Sequence, residues 1–312
     1  MLPILNTAPG GPPALVSPTN GDPELVRDEP GNRADVLAEL YPTGQRGYAT
    51  VSPVDDYESA AGVLIARKLG DGRVFYLEDE YTAQHISTYW IWFQRAARRA
   101  GLTIAGHEIW DLQAASYRDL AERVRASRVR AVYIGSGLGA RLARVLRDLR
   151  ASLDPRVAII GPINLAPVSK LFAEAGDAAR GVLITSPARL TDTLGPSGQQ
   201  FIRAFGATQP GRRVTSYDVY AAAATEVLLD AIARSDGTRE GVARALKQTR
   251  LADSVLGPLA LTANGEPVAS PITYLRAEHG GAHPDGSPIS VAGAEVVGRI
   301  TPQERLVGPD AG

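Results

Sequence analysis

Between residues 51 and 186 the chain alternates short, unbroken apolar runs with longer segments of helical period, and few folds accommodate that pattern. The apolar runs lie at 73–77, 102–106, 131–134, 157–160 and 182–185. Continuous apolar strands separated by helices indicate a parallel sheet with both faces covered. Helices are expected over 55–69, stopped at Gly70; over 86–100, stopped at Gly101; and over 140–151 and 167–174. A further helix begins after Ser116, read as its N-cap, with Leu120 and Val124 turned inward and Asp119 or Glu122 near its first turn. Together these make one complete doubly wound α/β lobe.

The flanking sequence is sparser. Residues 1–50 hold two strand-like pieces, 14–17 and 48–51, joined by a loop rich in Pro, Gly and Asp. Helices are expected over 197–207, 217–234 and 239–248, the last capped by the turn 236–238. The 217–234 segment is apolar over much of its surface and is expected to be buried. Strands are expected at 259–261 and 272–275 around the turn 263–266. Residues 280–312 read as a Gly/Pro-rich C-terminal extension carrying a hairpin over 289–300. One or two strands with three helices cannot bury both faces of a sheet, so the first lobe is expected to be incomplete. The expected division is 1–51 plus 187–270 for the first lobe and 52–186 plus 271–279 for the second. The alternative is that residues 1–50 and 187–270 form a small independent α+β domain.

Composition excludes several chemistries. A formal net charge of −1 gives no electrostatic reason to bind nucleic acid or an anionic membrane. Cysteine is absent, which removes thiol nucleophiles, disulfides and thiolate-bound metals. No run approaches the roughly 18 apolar residues of a membrane span, and the first residues lack the basic and apolar regions of a signal peptide. His85, His107, His279 and His283 have no i,i+4 pairing, so no zinc site is expected. The acidic pairs Asp55-Asp56 and Asp79-Glu80 read as solvated turn residues rather than as a catalytic acid and base. Gly135-Ser-Gly-Leu-Gly-Ala140 follows a strand, opens a helix and fits the G-x-G-x-x-A form of a dinucleotide fingerprint. Against it, the next strand ends without an acidic residue, offering only Asn164 to a ribose, and the motif sits on the third strand rather than the first. A dinucleotide-dependent enzyme using Gly135–Ala140 stays open as the alternative function. No catalytic residue, cofactor or metal is assigned.

Several segments, taken in order, resemble the branched-chain amino-acid (leucine/isoleucine/valine) binding proteins of ABC transporters, which have the type I periplasmic-binding fold. Residues 15–25, Leu-Val-Ser-Pro-Thr-Asn-Gly-Asp-Pro-Glu-Leu, are similar to that family's loop ending in PEL. Residues 48–53 with Asp55 resemble its first crossover between lobes, and Glu78-Asp-Glu-Tyr81 resembles its DDxYG turn, with Thr82-Ala-Gln in place of the usual glycines. Residues 175–181, Ala-Gly-Asp-Ala-Ala-Arg-Gly, are close to its GDAAEG segment; 217–232 and 257–265 resemble its YDA helix and its final G-containing turn.

The resemblance implies a two-lobed α/β protein that begins partway through the first lobe and binds a small polar ligand, such as an amino acid, without catalysis. Ligand would lie between the lobes, against Ser17, Thr19, Asn20 and Gly21 of one and Tyr81, Ser136, Gly137, Ile163 and Asn164 of the other. The hinge would pass through 51–52, 186–187 and 270–271. Gly137 stands where the family has an aromatic cover, and Ile163 where a glutamate holds the ligand ammonium, which argues against an ordinary amino acid in the usual pose. The implied partner is an ABC permease, placing the chain in the periplasm or outside the cell. Residues 6–12 resemble the branch fused to bacterial transcriptional regulators or kinases, for which a cytoplasmic sensor is the implied alternative.

Overall fold

The computed structural model describes residues 1–29, 35–85, 88–135, 141–280 and 291–308. In chain order, α1 (Leu2–Asn6), β1 (Leu15–Ser17), α2 (Val36–Leu40) and β2 (Tyr48–Thr50) come first. The regular alternation follows: α3 (Asp55–Leu69), β3 (Arg73–Asp79), α4 (Glu80–His85), α5 (Thr88–Ala100), β4 (Thr103–Trp110), α6 (Arg118–Ala126), β5 (Ala131–Ile134), α7 (Arg141–Ser152), β6 (Ala158–Gly161), α8 (Val168–Ala175) and β7 (Leu183–Ser186). Last come α9 (Pro196–Thr208), α10 (Ser216–Arg234), α11 (Arg239–Leu246), β8 (Arg250–Ser254), β9 (Gly257–Ala260), β10 (Ile272–Ala277) and β11 (Ala294–Ile300). The chain forms two compact units. The first comprises Met1–Asp55 and Pro187–Pro271 with Gly308; the second comprises Asp56–Ser186 and Ile272–Val307.

The second unit is built on a seven-stranded sheet in the order β11-β10-β7-β6-β5-β3-β4. Its β4, β3, β5, β6 and β7 are parallel, and β10 and β11 are antiparallel at one edge. Alternate side chains go to opposite faces. On one face Phe75, Leu77, Val132, Ile134, Ile159 and Ile184 join a buried cluster with Leu120, Val124, Leu146 and Leu171 from α6, α7 and α8. On the other, Tyr76 and Tyr133 meet Phe93 of α5 at ring distances of 4.9 Å and 4.4 Å. This is the two-sided burial that the unbroken apolar runs demand.

Four expectations are corrected here. β3 runs on to Asp79, so Glu78 and Asp79 enter the sheet and are buried; parallel pairing with Ile109 and Trp110 of β4 carries the strand past the charged residues. Ser116 is not the cap of α6: Tyr117 is the boundary residue, and its N–H donates to Asp148 Oδ2 of α7 at 2.7 Å. α10 buries only one stripe, Val219, Tyr220, Ala223, Val227 and Ala231, and leaves Leu229 and Ile232 about half exposed. Within 280–312, Ala294–Ile300 pairs with β10 and becomes the sheet's edge strand; residues 289–290 of the expected hairpin lie outside the described residues.

In the first unit β1 pairs in parallel with β2, and β8 pairs with β9 as an antiparallel ribbon. Their core gathers Ala49, Val51, Val219, Tyr220, Ala223, Val227, Leu246 and Leu261. α10 starts at a full capping box: Thr215 accepts from the Asp218 N–H, and Asp218 accepts from the Thr215 N–H at 2.8 Å. The turn at 263–266 forms as expected, with the Thr262 N–H on the Glu266 carbonyl at 2.8 Å.

Candidate functional site

In the second unit the chain leaves β3 for β4 on one side and then returns to β5 on the other. Adjacent crossovers therefore depart in opposite directions at the β3/β5 boundary. In open α/β sheets such a switch point, at the carboxyl ends of the strands, leaves the crevice that takes ligands. Tyr81 lies just beyond the end of β3, on the first turn of α4, with half its surface exposed and its ring 4.6 Å from that of His85. Asp79 anchors that helix from the strand: its carboxylate accepts from the Thr82 N–H at 2.8 Å and the Thr82 hydroxyl at 3.1 Å. Ser136 and Gly137, at the end of β5, lie outside the described residues.

Beyond β6 the chain makes a single turn, Ile163–Leu165. The Ile163 side chain packs on the core and its N–H donates to Glu58 Oε1 at 2.9 Å, so both of its recognition surfaces are committed internally. The same carboxylate oxygen accepts from the Thr185 hydroxyl at 3.0 Å, tying the ends of β6 and β7 to α3. Glu58 is thus a carboxylate at this edge that the sequence did not single out, because its partners lie more than a hundred residues away. Asn164 differs: it is half-buried and its amide has no hydrogen-bond partner among the described residues.

One further polar pair was missed. Glu78 Oε1 is 2.7 Å from His107 Nε2, joining β3 to β4, and the Trp90 ring stacks on the imidazole at 3.9 Å. Burial pushes the Glu78 carboxyl up, against the pull of His107. The dinucleotide fingerprint has a different explanation. A Cβ at Gly135 would sit 1.8 Å from the Tyr76 hydroxyl, so the first glycine serves packing against a buried tyrosine; the rest of the motif lies outside the described residues.

In the first unit the predicted residues follow β1. Ser17 Oγ accepts from the Asn20 N–H at 3.0 Å, and Asn20 Oδ1 accepts from the Asp22 N–H at 3.0 Å. Asp22 then caps the turn Pro23–Leu25 through the Glu24 N–H, and burial raises its carboxyl above the usual range. Gly21 lets the Asp55 carboxylate approach closely, since a Cβ there would meet Asp55 Oδ1 at 2.1 Å, while its carbonyl accepts from the Asp55 N–H. The loop is fixed by its own side chains, and the Thr19 hydroxyl and Asn20 amide remain exposed.

Among the described residues no group of three His, Asp or Glu side chains is arranged to hold a metal, and no helix is long and apolar enough to cross a membrane. Among curated proteins none matches the chain significantly. Solved structures do. A leucine-binding protein LivK from Thermotoga maritima superposes with a TM-score of 0.66 at 18% identity, over 93% of this chain and 73% of that one. An ABC transporter substrate-binding protein from Sphaerobacter thermophilus gives 0.63 at 21% identity, over 92% and 73%. A solute-binding protein of an ABC transporter from R. palustris, in complex with benzoate, gives 0.61 at 16% identity, over 92% and 71%. The fold is therefore shared with these proteins, and the sequence pattern of the periplasmic binding proteins matches residues 37–282, well over half of the chain, which belongs to that family.

Proposed function

We propose that this solute-binding protein, which is not an enzyme, takes a small polar ligand at the carboxyl edge of its second unit's sheet, on Tyr81 and Asn164. The observation that carries the reading is the Asn164 amide, half-buried at the carboxyl edge of the sheet and without a hydrogen-bond partner among the described residues. Half-buried polar groups of this kind cost free energy unless a ligand or water satisfies them. An amide both donates and accepts, which suits a neutral polar group or a carboxylate better than an ammonium ion. Glu58, the carboxylate nearest to Ile163, is already bonded to a backbone N–H and a hydroxyl. Similar folds hold ligands as different as leucine and benzoate, so the family leaves the ligand class open. In a transport role the chain works in the periplasm and passes its solute to an ABC permease.

Thermal unfolding of the chain with amino acids, amides and small organic acids tests this. A ligand at a hundred times its Kd contributes about 2.7 kcal/mol to stability, enough to raise Tm by several degrees. Asn164→Ala should abolish most of that rise without lowering the ligand-free Tm. A panel that leaves Tm unmoved at millimolar concentration, or a rise unchanged in the variant, removes the reading.

A further inference from the structure

The first unit contains a cavity of about 380 Å³ that involves none of the residues assigned above. It is bounded by the β8–β9 ribbon, the 267–271 segment and the Tyr220 ring of α10. Four of its lining residues are prolines, Pro53, Pro258, Pro267 and Pro271, whose fixed φ makes the wall rigid before any ligand arrives. Leu251, Leu256 and Val268 make much of the remainder apolar. Its volume falls within the range of small-molecule pockets, about 300–1,000 Å³.

Two cations break this apolar lining, Arg189 and Arg250. Each is held by backbone carbonyls: Arg189 Nη1 donates to Leu256 O, and Arg250 Nη1 donates to Thr249 O at 3.0 Å and Leu261 O at 2.6 Å. The Arg189 backbone is pinned as well, its N–H donating to the Tyr220 hydroxyl at 3.1 Å while that hydroxyl donates to Pro187 O. Among the described residues neither guanidinium meets a carboxylate. The acids on neighbouring segments are engaged elsewhere: Asp253 accepts from Ser197 Oγ and Glu226 accepts from the Val255 N–H. A guanidinium has five N–H donors in a planar fork, so both arginines keep donors for an incoming anion. Positioned cations beside a rigid apolar wall match one ligand chemistry, a carboxylate on an apolar body.

We propose that this cavity is a second binding site, selective for a monocarboxylate whose body is a ring or a short branched chain. Arg189 and Arg250 hold the carboxylate, and the proline and leucine wall takes the apolar part. The site is independent of the polar-solute reading, because it shares no residue with it.

Calorimetric titration of the full chain with phenylacetate and phenylacetamide tests the proposal. Phenylacetate should bind at least tenfold more tightly than the neutral amide. Arg250→Gln, at an exposed position, should weaken it at least tenfold, and Ala269→Trp, which fills the cavity from its exposed rim, should abolish it. Both variants should still unfold cooperatively, Ala269→Trp with the parent's Tm and Arg250→Gln slightly below it for the carbonyl bonds it gives up, and Asn164→Ala should bind phenylacetate as the parent does. No binding, equal binding of acid and amide, or binding lost in Asn164→Ala but kept in the two cavity variants overturns the proposal. The last result would leave the polar-solute site standing, whereas failure of that site alone would leave phenylacetate binding intact.

Discussion

Glu78 shows how far a single residue departs from its sequence context. In the sequence it is one of a run of acids at a strand end; in the fold it is a buried carboxylate with one oxygen on His107 and the other without a hydrogen-bond partner among the described residues. Asp79 and the Tyr76 ring lie beside it, and desolvation raises its carboxyl pKa above 4.5 while His107 opposes the rise. The folded chain therefore holds this proton more tightly than the unfolded chain does. By linkage, the stability associated with Glu78 is fully present below its unfolded value and is lost as pH rises through its higher folded value. Glu78→Gln removes the titration and keeps a group able to bond His107. As pH rises above the ordinary glutamate range, the stability of the variant relative to the parent should rise. Urea unfolding at several pH values measures this, and a constant difference across them would contradict it. Contacts of this kind escape sequence reading because Glu78 and His107 are 29 positions apart, and Glu58 and Ile163 are 105 apart. The positions of Tyr81 and Asn164, just after strand ends, were legible because the apolar runs mark those strands.

The elements themselves were largely written in local pattern. Unbroken apolar runs located β3, β5, β6 and β7 to within a few residues, since burial on both faces admits little else. β8 was not legible: Arg-Leu-Ala-Asp-Ser has no β-branched residue, and its strand character comes from pairing with β9 across Leu251 and Leu259. The start of α6 was misplaced by one residue: the boundary falls at Tyr117, whose N–H is held by an acid of α7, while Ser116 Oγ accepts from the Arg118 N–H at 3.3 Å. α10 has its signal within its own sequence. The Thr215–Asp218 box satisfies two otherwise orphaned backbone N–H groups at the start of a helix whose buried stripe runs through the first unit's core. Thr215→Ala should cost about 1 kcal/mol, within the usual range for losing a cap. Thr215→Ser, which keeps the oxygen, should cost much less. Chemical denaturation of the three proteins decides it, and equal losses for Ala and Ser would mean that the threonine methyl, not the cap, carries the effect.

At the scale of the whole molecule, neither unit is continuous in the chain, which passes between them near residues 55, 186, 271 and 307. The second unit's sheet is consequently finished only after the first unit's last helices have been made, when β10 returns to pair antiparallel with β7. The sequence pointed to a strand near 272–275 and to a hairpin over 289–300, but not to the pairing of β11 with β10, which joins segments on either side of a Gly/Pro-rich stretch. The returning strands should contribute unequally. Ile272 and Leu275 of β10 are fully buried, whereas β11 is half-exposed along its length. At about 1.5–3 kcal/mol for each buried aliphatic side chain, those two alone account for roughly 3–6 kcal/mol, a large part of a typical domain's 5–15. Ending the chain at residue 280 removes β11, together with Leu306 and the carbonyl of Val307 that Arg99 holds at 2.8 Å. That protein should fold cooperatively at a lower urea midpoint. Ending it at residue 271 also removes β10, uncovers the edge of β7 and leaves Ile184 and Leu183 with an open ladder, which invites association between chains. It should lose its cooperative transition and elute as aggregates. Far-UV circular dichroism in urea with size-exclusion chromatography separates the two cases, and a 1–271 chain that stayed monomeric with the parent's midpoint would show that the second unit is complete without its returning strand.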